Sequence, residues 1–281
     1  MAGEHAYHIG LVNHQNKYLT AESFGNQVNA SGVNLKKKQI WTIEQDAGYV
    51  FLKSHLGRYL TADKHGALSC EAEEKESDAK FTVSYQSDGR WALKSIHERY
   101  LGGEDDQLKC FATKVSGSEQ WAMQLAIHPQ INLLHAVRQR HARLANDELQ
   151  VTEDIPWGAD SLITLEFKNG QYALLTSDSR YLNHDGSLTA DLGEKGQYLI
   201  EFHDGKVAFR TKGTGKFLTC AGNKGKIQSS KKDTVGRDEL FVMLDNHPQC
   251  ILTAQNERMV SIRQGRCPPL ANTLMPIIRL V

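Results

Sequence analysis

The residues best equipped for chemistry in this chain are basic and clustered. Lys36, Lys37 and Lys38 stand together in NLKKKQ, in a loop just before the apolar run IWTIE. Arg138, Arg140 and Arg143 fall in VRQRHARL, and Lys226, Lys231, Lys232 and Arg237 in GKIQSSKKDTVGRDELF. A charge run of this kind is ordinarily a solvated face. Here it matters more, because 33 Lys plus Arg balance 33 Asp plus Glu and the formal net charge is zero. With no global field, electrostatic recognition has to come from local patches. Three adjacent ammonium groups make such a patch, and its chemistry is orientation and fast association with an acidic surface.

Bond-making chemistry is poorly represented. There are 12 histidines, but no HExxH, GxSxG or P-loop, and no EF-hand pattern. His128 and His247 each open an HPQ triplet, which marks them as repeat features rather than catalysts. The five cysteines are odd in number and include no CxxC, so neither a disulfide framework nor a zinc ribbon is indicated. The expectation is a non-enzymatic protein without cofactor or metal. The opening MAGEHAYHIG has no signal-peptide pattern, and no apolar run is long enough for a bilayer. The cytosol is therefore the expected compartment, where the NAS sequon at 29–31 stays unglycosylated.

The elements that must hold these cations repeat. NKYLTA at 16–21 returns as GRYLTA at 57–62, ERYLGG at 98–103, SRYLNH at 179–184 and GKFLTC at 215–220, with a degraded copy, RHARLA, at 140–145. Tyr18, Tyr59 and Tyr100 are spaced by 41 residues. Apolar alternation recurs in phase: Val50 with Leu52, Trp91 with Leu93, Tyr172 with Leu174 and Val207 with Phe209 each share one strand face. A second strand-like run follows in each unit, and hairpin signals such as KHGALSC and HDGSLTA lie between. Each unit of about 40 residues thus holds roughly four short strands. Such units fit a propeller blade, but HPQ recurs after 119 residues, which is three units. Counting in threes is the mark of a β-trefoil, a six-stranded barrel capped by three hairpins. The expected fold is all-β: tandem trefoils at 7–127 and 128–246, with the Tyr/Phe–Leu pair of each unit entering the core.

Long segments carry a more specific resemblance. GLVNHQNKYLTAESFGNQVNAS, LKKKQIWT, HLGRYLTADKHG, PWGADSLITL and NERMVSIRQG resemble the fascin family, actin-bundling proteins built of four β-trefoils. The resemblance covers about residues 8–265. It implies a monomeric cytoplasmic protein of filopodia, microvilli or similar protrusions whose partner is the actin filament, with no nucleic acid and no membrane insertion. It implies actin-binding roles for Lys17, Lys36, Lys37 and Lys38, and for Arg138, Arg140, Lys231, Arg237, Arg258 and Arg263 at a second face. Asn34 stands where the family carries a phosphorylated serine, and Gln228 and Thr234 replace lysines common there. By this reading 247–265 begins an incomplete third trefoil, and 266–281, with Pro268, Pro269 and Pro276, is a divergent, disordered tail of a C-terminally truncated form. A main family site lies where the first trefoil meets the fourth, so weak binding with reduced bundling is expected.

The rival is a carbohydrate-binding trefoil, because QIW at 39–41 fits the QxW pattern of ricin-type lectins. The matching triplets read AKF at 79–81 and EQW at 119–121. The pattern is not kept, and Trp41 and Trp121 are expected in the core.

Overall fold

Alternating apolar residues make strands wherever one face can be covered, and each unit here supplies four. The computed structural model describes residues 6–246, with the backbone of 249–250 and 278–279. Its first trefoil comprises β1 (Tyr7–Val12), β2 (Tyr18–Ala21), β3 (Val28–Gly32), β4 (Trp41–Asp46), β5 (Tyr49–Ser54), β6 (Tyr59–Ala62), β7 (Leu68–Ala72), β8 (Phe81–Tyr85), β9 (Trp91–Ser95), β10 (Tyr100–Glu104), β11 (Gln107–Ala112) and β12 (Ala122–Leu125). The ring β1–β4–β5–β8–β9–β12 closes on itself, all antiparallel. Its β9–β12 joint is made by Trp91 and Trp121, whose backbones exchange N–H···O bonds of 2.7 and 2.8 Å. The remaining strands pair as three hairpins, β2–β3, β6–β7 and β10–β11.

The hairpins lean on one another in a cycle. Ala30 N donates to Asp106 O (3.1 Å), Cys70 N to Asn26 O (2.9 Å) and Cys110 N to Gly66 O (3.2 Å). Each hairpin thus gives one bond to its neighbour and receives one.

The second trefoil repeats the plan with β13 (Gln130–His135), β14 (Arg140–Ala145), β15 (Glu148–Glu153), β16 (Ile163–Lys168), β17 (Gln171–Leu175), β18 (Tyr181–Leu182), β19 (Leu188–Thr189), β20 (Tyr198–His203), β21 (Lys206–Thr211), β22 (Leu218–Ala221), β23 (Lys226–Ser229) and β24 (Phe241–Asp245). Its ring runs β13–β16–β17–β20–β21–β24 and back to β13. Beyond it, β25 (Gln249–Cys250) pairs antiparallel with β26 (Ile278–Arg279), a pairing absent from the sequence reading of the tail. The other expectations for 247–281 fall outside the described residues.

All eight residues of the alternating pairs, from Val50 to Phe209, are buried. So are the leucines of the repeated phrase, Leu19, Leu60, Leu101, Leu182 and Leu218, each at 0% exposure. The aromatics before them need a correction. Tyr59 and Phe217 are buried, but Tyr18, Tyr100 and Tyr181 are only half-buried. Adjacent residues on a strand point to opposite faces, so Tyr and Leu cannot both enter the barrel. The tyrosines lie on the outer wall, where Tyr18 donates to Gln124, Tyr59 to Glu44 and Tyr181 to Glu166 at 2.7–3.0 Å. Around Glu44 this wall is elaborate: the ammonium groups of Lys53, Lys75 and Lys80 sit over the rings of Tyr59, Phe51 and Tyr49 at 5.2–5.3 Å.

The two barrels share one continuous core. Phe202 packs 5.3 Å from Tyr7 and edge-on to Trp91 at 5.7 Å. The Tyr7 hydroxyl accepts from Met243 N in β24, and the Tyr172 hydroxyl accepts from Leu125 N in β12. Each barrel's last strand is thus tied to a phenol of the other. Gly89 abuts Leu199 so closely that a Cβ there would overlap it.

Two outcomes follow from this seam. Phe202→Ala should cost about 3–5 kcal/mol of unfolding free energy in urea titrations, the usual range for a buried Phe. Burial raises the Tyr7 pKa from 10.0 to about 12. The folded state therefore favours the neutral phenol, a contribution complete below pH 10 and lost as pH rises towards 12. Thermal midpoints should fall across that window, and less steeply in Tyr7→Phe.

Candidate functional site

The first basic patch is presented by a turn that a buried amide anchors. Lys37–Gln39 form a single 3-10 turn between β3 and β4. Gln39 is buried; its Oε1 accepts from Lys36 N (3.3 Å) and its Nε2 donates to Thr20 Oγ1 (3.1 Å). With Gln39 inside, Lys36, Lys37 and Lys38 are all exposed. The Lys38 ammonium lies 2.7 Å from Glu22 Oε2, and with Asn29 it holds that carboxyl below the usual range. Lys36 and Lys37 have no ion pair among the described residues. Burial, and then Lys37 and Lys38, push the His55 pKa down, and the buried His55 Nδ1 has no hydrogen-bond partner among the described residues. Lys17, just before β2, lies 3.6 Å from Asp106 on the third hairpin.

The second patch divides into engaged and free cations. Arg138 donates from Nη2 to Gly222 O (2.7 Å) and Cys220 O (3.3 Å), and from Nη1 to Asn223 O (3.4 Å). Arg140 donates to Thr152 O and lies 3.2 Å from Asp154. Arg143 pairs with Glu153 and Asp160, and Lys226 with Glu148. Lys231, Lys232 and Arg237 are exposed with no ion pair among the described residues. Arg237 opens the 3-10 turn Arg237–Glu239, the counterpart of the turn at Lys37. His135 joins these segments: its Nδ1 accepts from Arg138 N (3.1 Å), and its Nε2 donates to Asp238 O (2.9 Å). Arg258 and Arg263 lie outside the described residues.

His135, Glu22 and the 3-10 turns were not foreseen. The turns did have a signal. Glu119 Oε2 accepts from Ser116 N (2.9 Å) and Glu239 Oε2 from Gly236 N (2.9 Å), so SGSE at 116–119 is a capping box in the plain sequence. A single buried histidine such as His135 leaves no pattern. Trp41 and Trp121 are fully buried, and their Nε1 groups donate to Leu19 O and Leu101 O. Neither indole has a free face for a sugar ring. A cleft of about 540 Å³ at the seam, lined by Tyr7, His128, Ile131 and Met243 among others, holds none of the candidate cations. Among the described residues no group of His, Cys, Asp and Glu could hold a metal ion, and no helix is long and apolar enough to cross a membrane.

The patch on the first trefoil gives a direct expectation. Changing Lys36, Lys37 and Lys38 together to Gln should shift unfolding free energy by less than about 1 kcal/mol, since exposed pairs contribute little. In the same variant the His55 midpoint, followed by NMR, should rise, because two of the charges that depress it are gone.

Comparison with known proteins agrees with the geometry. The Fascin domain profile matches residues 15–123 and 132–243, one stretch in each barrel. Over 264 residues the chain is 47% identical to fascin-2 of Bos taurus and 47% identical to fascin-2 of Homo sapiens, covering 92% of this chain and 54% of each relative. It is 37% identical over 255 residues to fascin of Strongylocentrotus purpuratus, covering 86% of this chain and 51% of that one. The chain therefore spans about half the length of these relatives. It belongs to the fascin family.

Proposed function

We propose that this chain binds actin filaments through exposed basic turns, as a non-enzymatic protein of the cytoplasmic actin cytoskeleton in filopodia, microvilli or similar protrusions. The observation that carries the reading is the set of exposed cations without an ion pair among the described residues on both barrels: Lys36 and Lys37 on the first, Lys231 and Arg237 on the second. Actin filaments are acidic polymers, and complementary charge gives fast, oriented association. The two sets are mounted on barrels with one continuous core, so they keep a fixed separation. With Asn34 before the lysines, a phosphate at that position does not switch the patch.

Bundling asks for two competent faces on one body, since linked sites gain avidity that neither has alone. By the resemblance to fascins, a main site is shared between the first trefoil and a fourth, and the lysines of the first trefoil here supply one part of it. Several basic residues of the second face are also already engaged internally. The reading for this polypeptide is therefore weak, monovalent filament binding with little bundling.

Actin sedimentation tests both parts. Purified 1–281 should pellet with filaments at high speed, in a salt-sensitive way, and should leave few bundles at low speed. The triple Lys36, Lys37, Lys38 to Gln variant should bind about tenfold more weakly, roughly the sum of three exposed ion pairs. Tight bundles at low speed would contradict the monovalent reading. Unchanged pelleting of the triple variant would remove the lysines from the contact.

A further inference from the structure

We propose that Arg138 is a positioning residue, which locks three basic segments of the second trefoil at one spacing and does not itself touch the filament. The proposal rests on the reading that this face binds actin. Its guanidinium is spread over three carbonyls of a single turn: Cys220, Gly222 and Asn223. A planar fork of five N–H donors can satisfy carbonyls that diverge in this way, whereas an ammonium group acts as a single point. That turn carries Lys224 and leads into Lys226.

The turn is pressed against the arginine. Gly225 has φ of +62°, and a Cβ there would lie 3.0 Å from Val151 O and 3.1 Å from Arg138 Nη1. Val151 N also donates to Gly225 O at 3.0 Å. The backbone of Arg138 makes the second tie, through His135 to Asp238 O. His135 is buried, packed edge-on against Phe241 at 5.2 Å, and its partners fix Nδ1 as acceptor and Nε2 as donor. Thr219 Oγ1 donates to the same Asp238 oxygen (2.9 Å), joining the base of the turn to the segment that carries Arg237. One residue thus connects the turn before Arg140, the turn with Lys224 and the 3-10 turn with Arg237. Order established on folding does not have to be paid for on binding.

The test separates charge from fork. Arg138→Lys keeps the charge and loses the three-carbonyl geometry; Arg138→Gln loses both. Amide exchange across 220–226 should quicken about tenfold in both variants, the expected effect of losing charge-assisted hydrogen bonds. Exchange in β16 and β17 should stay as it was. Filament affinity, measured by high-speed pelleting well below the melting temperature, should fall by similar factors in both. If Arg138→Lys binds like the unmodified chain while Arg138→Gln is weak, Arg138 is a charge contact and the proposal is wrong. Unchanged exchange at 220–226 would also overturn it. If the unmodified chain does not pellet at all, the functional reading fails and the exchange data alone decide the fork. Should either variant fold poorly, Gly225→Ala displaces the same turn with Arg138 intact, and it should reproduce both effects.

Discussion

Each unit of this chain has an apolar face and nothing of its own to cover it. Four short strands cannot enclose a core, so the units become stable only in company. Ring closure is the interaction on which the rest depends. It turns the inward residues, Leu52, Leu93, Leu174 and Phe209 among them, from exposed surface into shared interior. It also fixes where the connecting turns emerge. The turn at Lys37–Gln39 and the turn at Arg237–Glu239 each leave a hairpin and re-enter a barrel strand. Each is held by the side chain of its own last residue, Gln39 or Glu239. The cations are exposed because the residues beside them are committed inward.

The seam extends the same logic from units to barrels. Phe202, Tyr7 and Trp91 remove apolar area that each barrel would otherwise show to water. The two phenol contacts add direction, because a hydrogen bond to a backbone N–H requires a particular approach. An apolar, directional seam resists sliding as well as separation. For a protein whose basic turns lie on different barrels, this makes the distance between them a property of the core.

Much of the fold was legible in the sequence, because periodicity is a local property. The alternating pairs and the repeated Leu were readable as inward positions, and the count of three units distinguished a trefoil from a propeller. The orientation of Tyr18, Tyr100 and Tyr181 is hidden by the repeat itself: the Tyr–Leu dipeptide recurs as one unit, although neighbouring residues of a strand face opposite ways. The basic candidates were legible as types but not as states. Arg138 and Lys231 look alike in the sequence. What separates them is a set of carbonyls more than 80 residues from Arg138, brought near only by closure of the second barrel. Lys38 was equally hard to grade, since Glu22 reaches it from the far side of a hairpin.

The cyclic bonds among the hairpins of the first trefoil constrain its ancestry as well as its stability. Ala30, Cys70 and Cys110 each spend a backbone donor on the next hairpin round, so every member is at once creditor and debtor. A gene that gained or lost one unit would leave one donor and one acceptor stranded and a barrel that could not shut. Duplication in such a lineage is expected to succeed in whole sets of three, and HPQ returns after 119 residues, the length of one such set. Within a set, by contrast, each copy is free to drift wherever it does not touch this circuit. One unit could then come to carry a lysine triplet at the same place where its sister carries Glu76, Ser77 and Asp78.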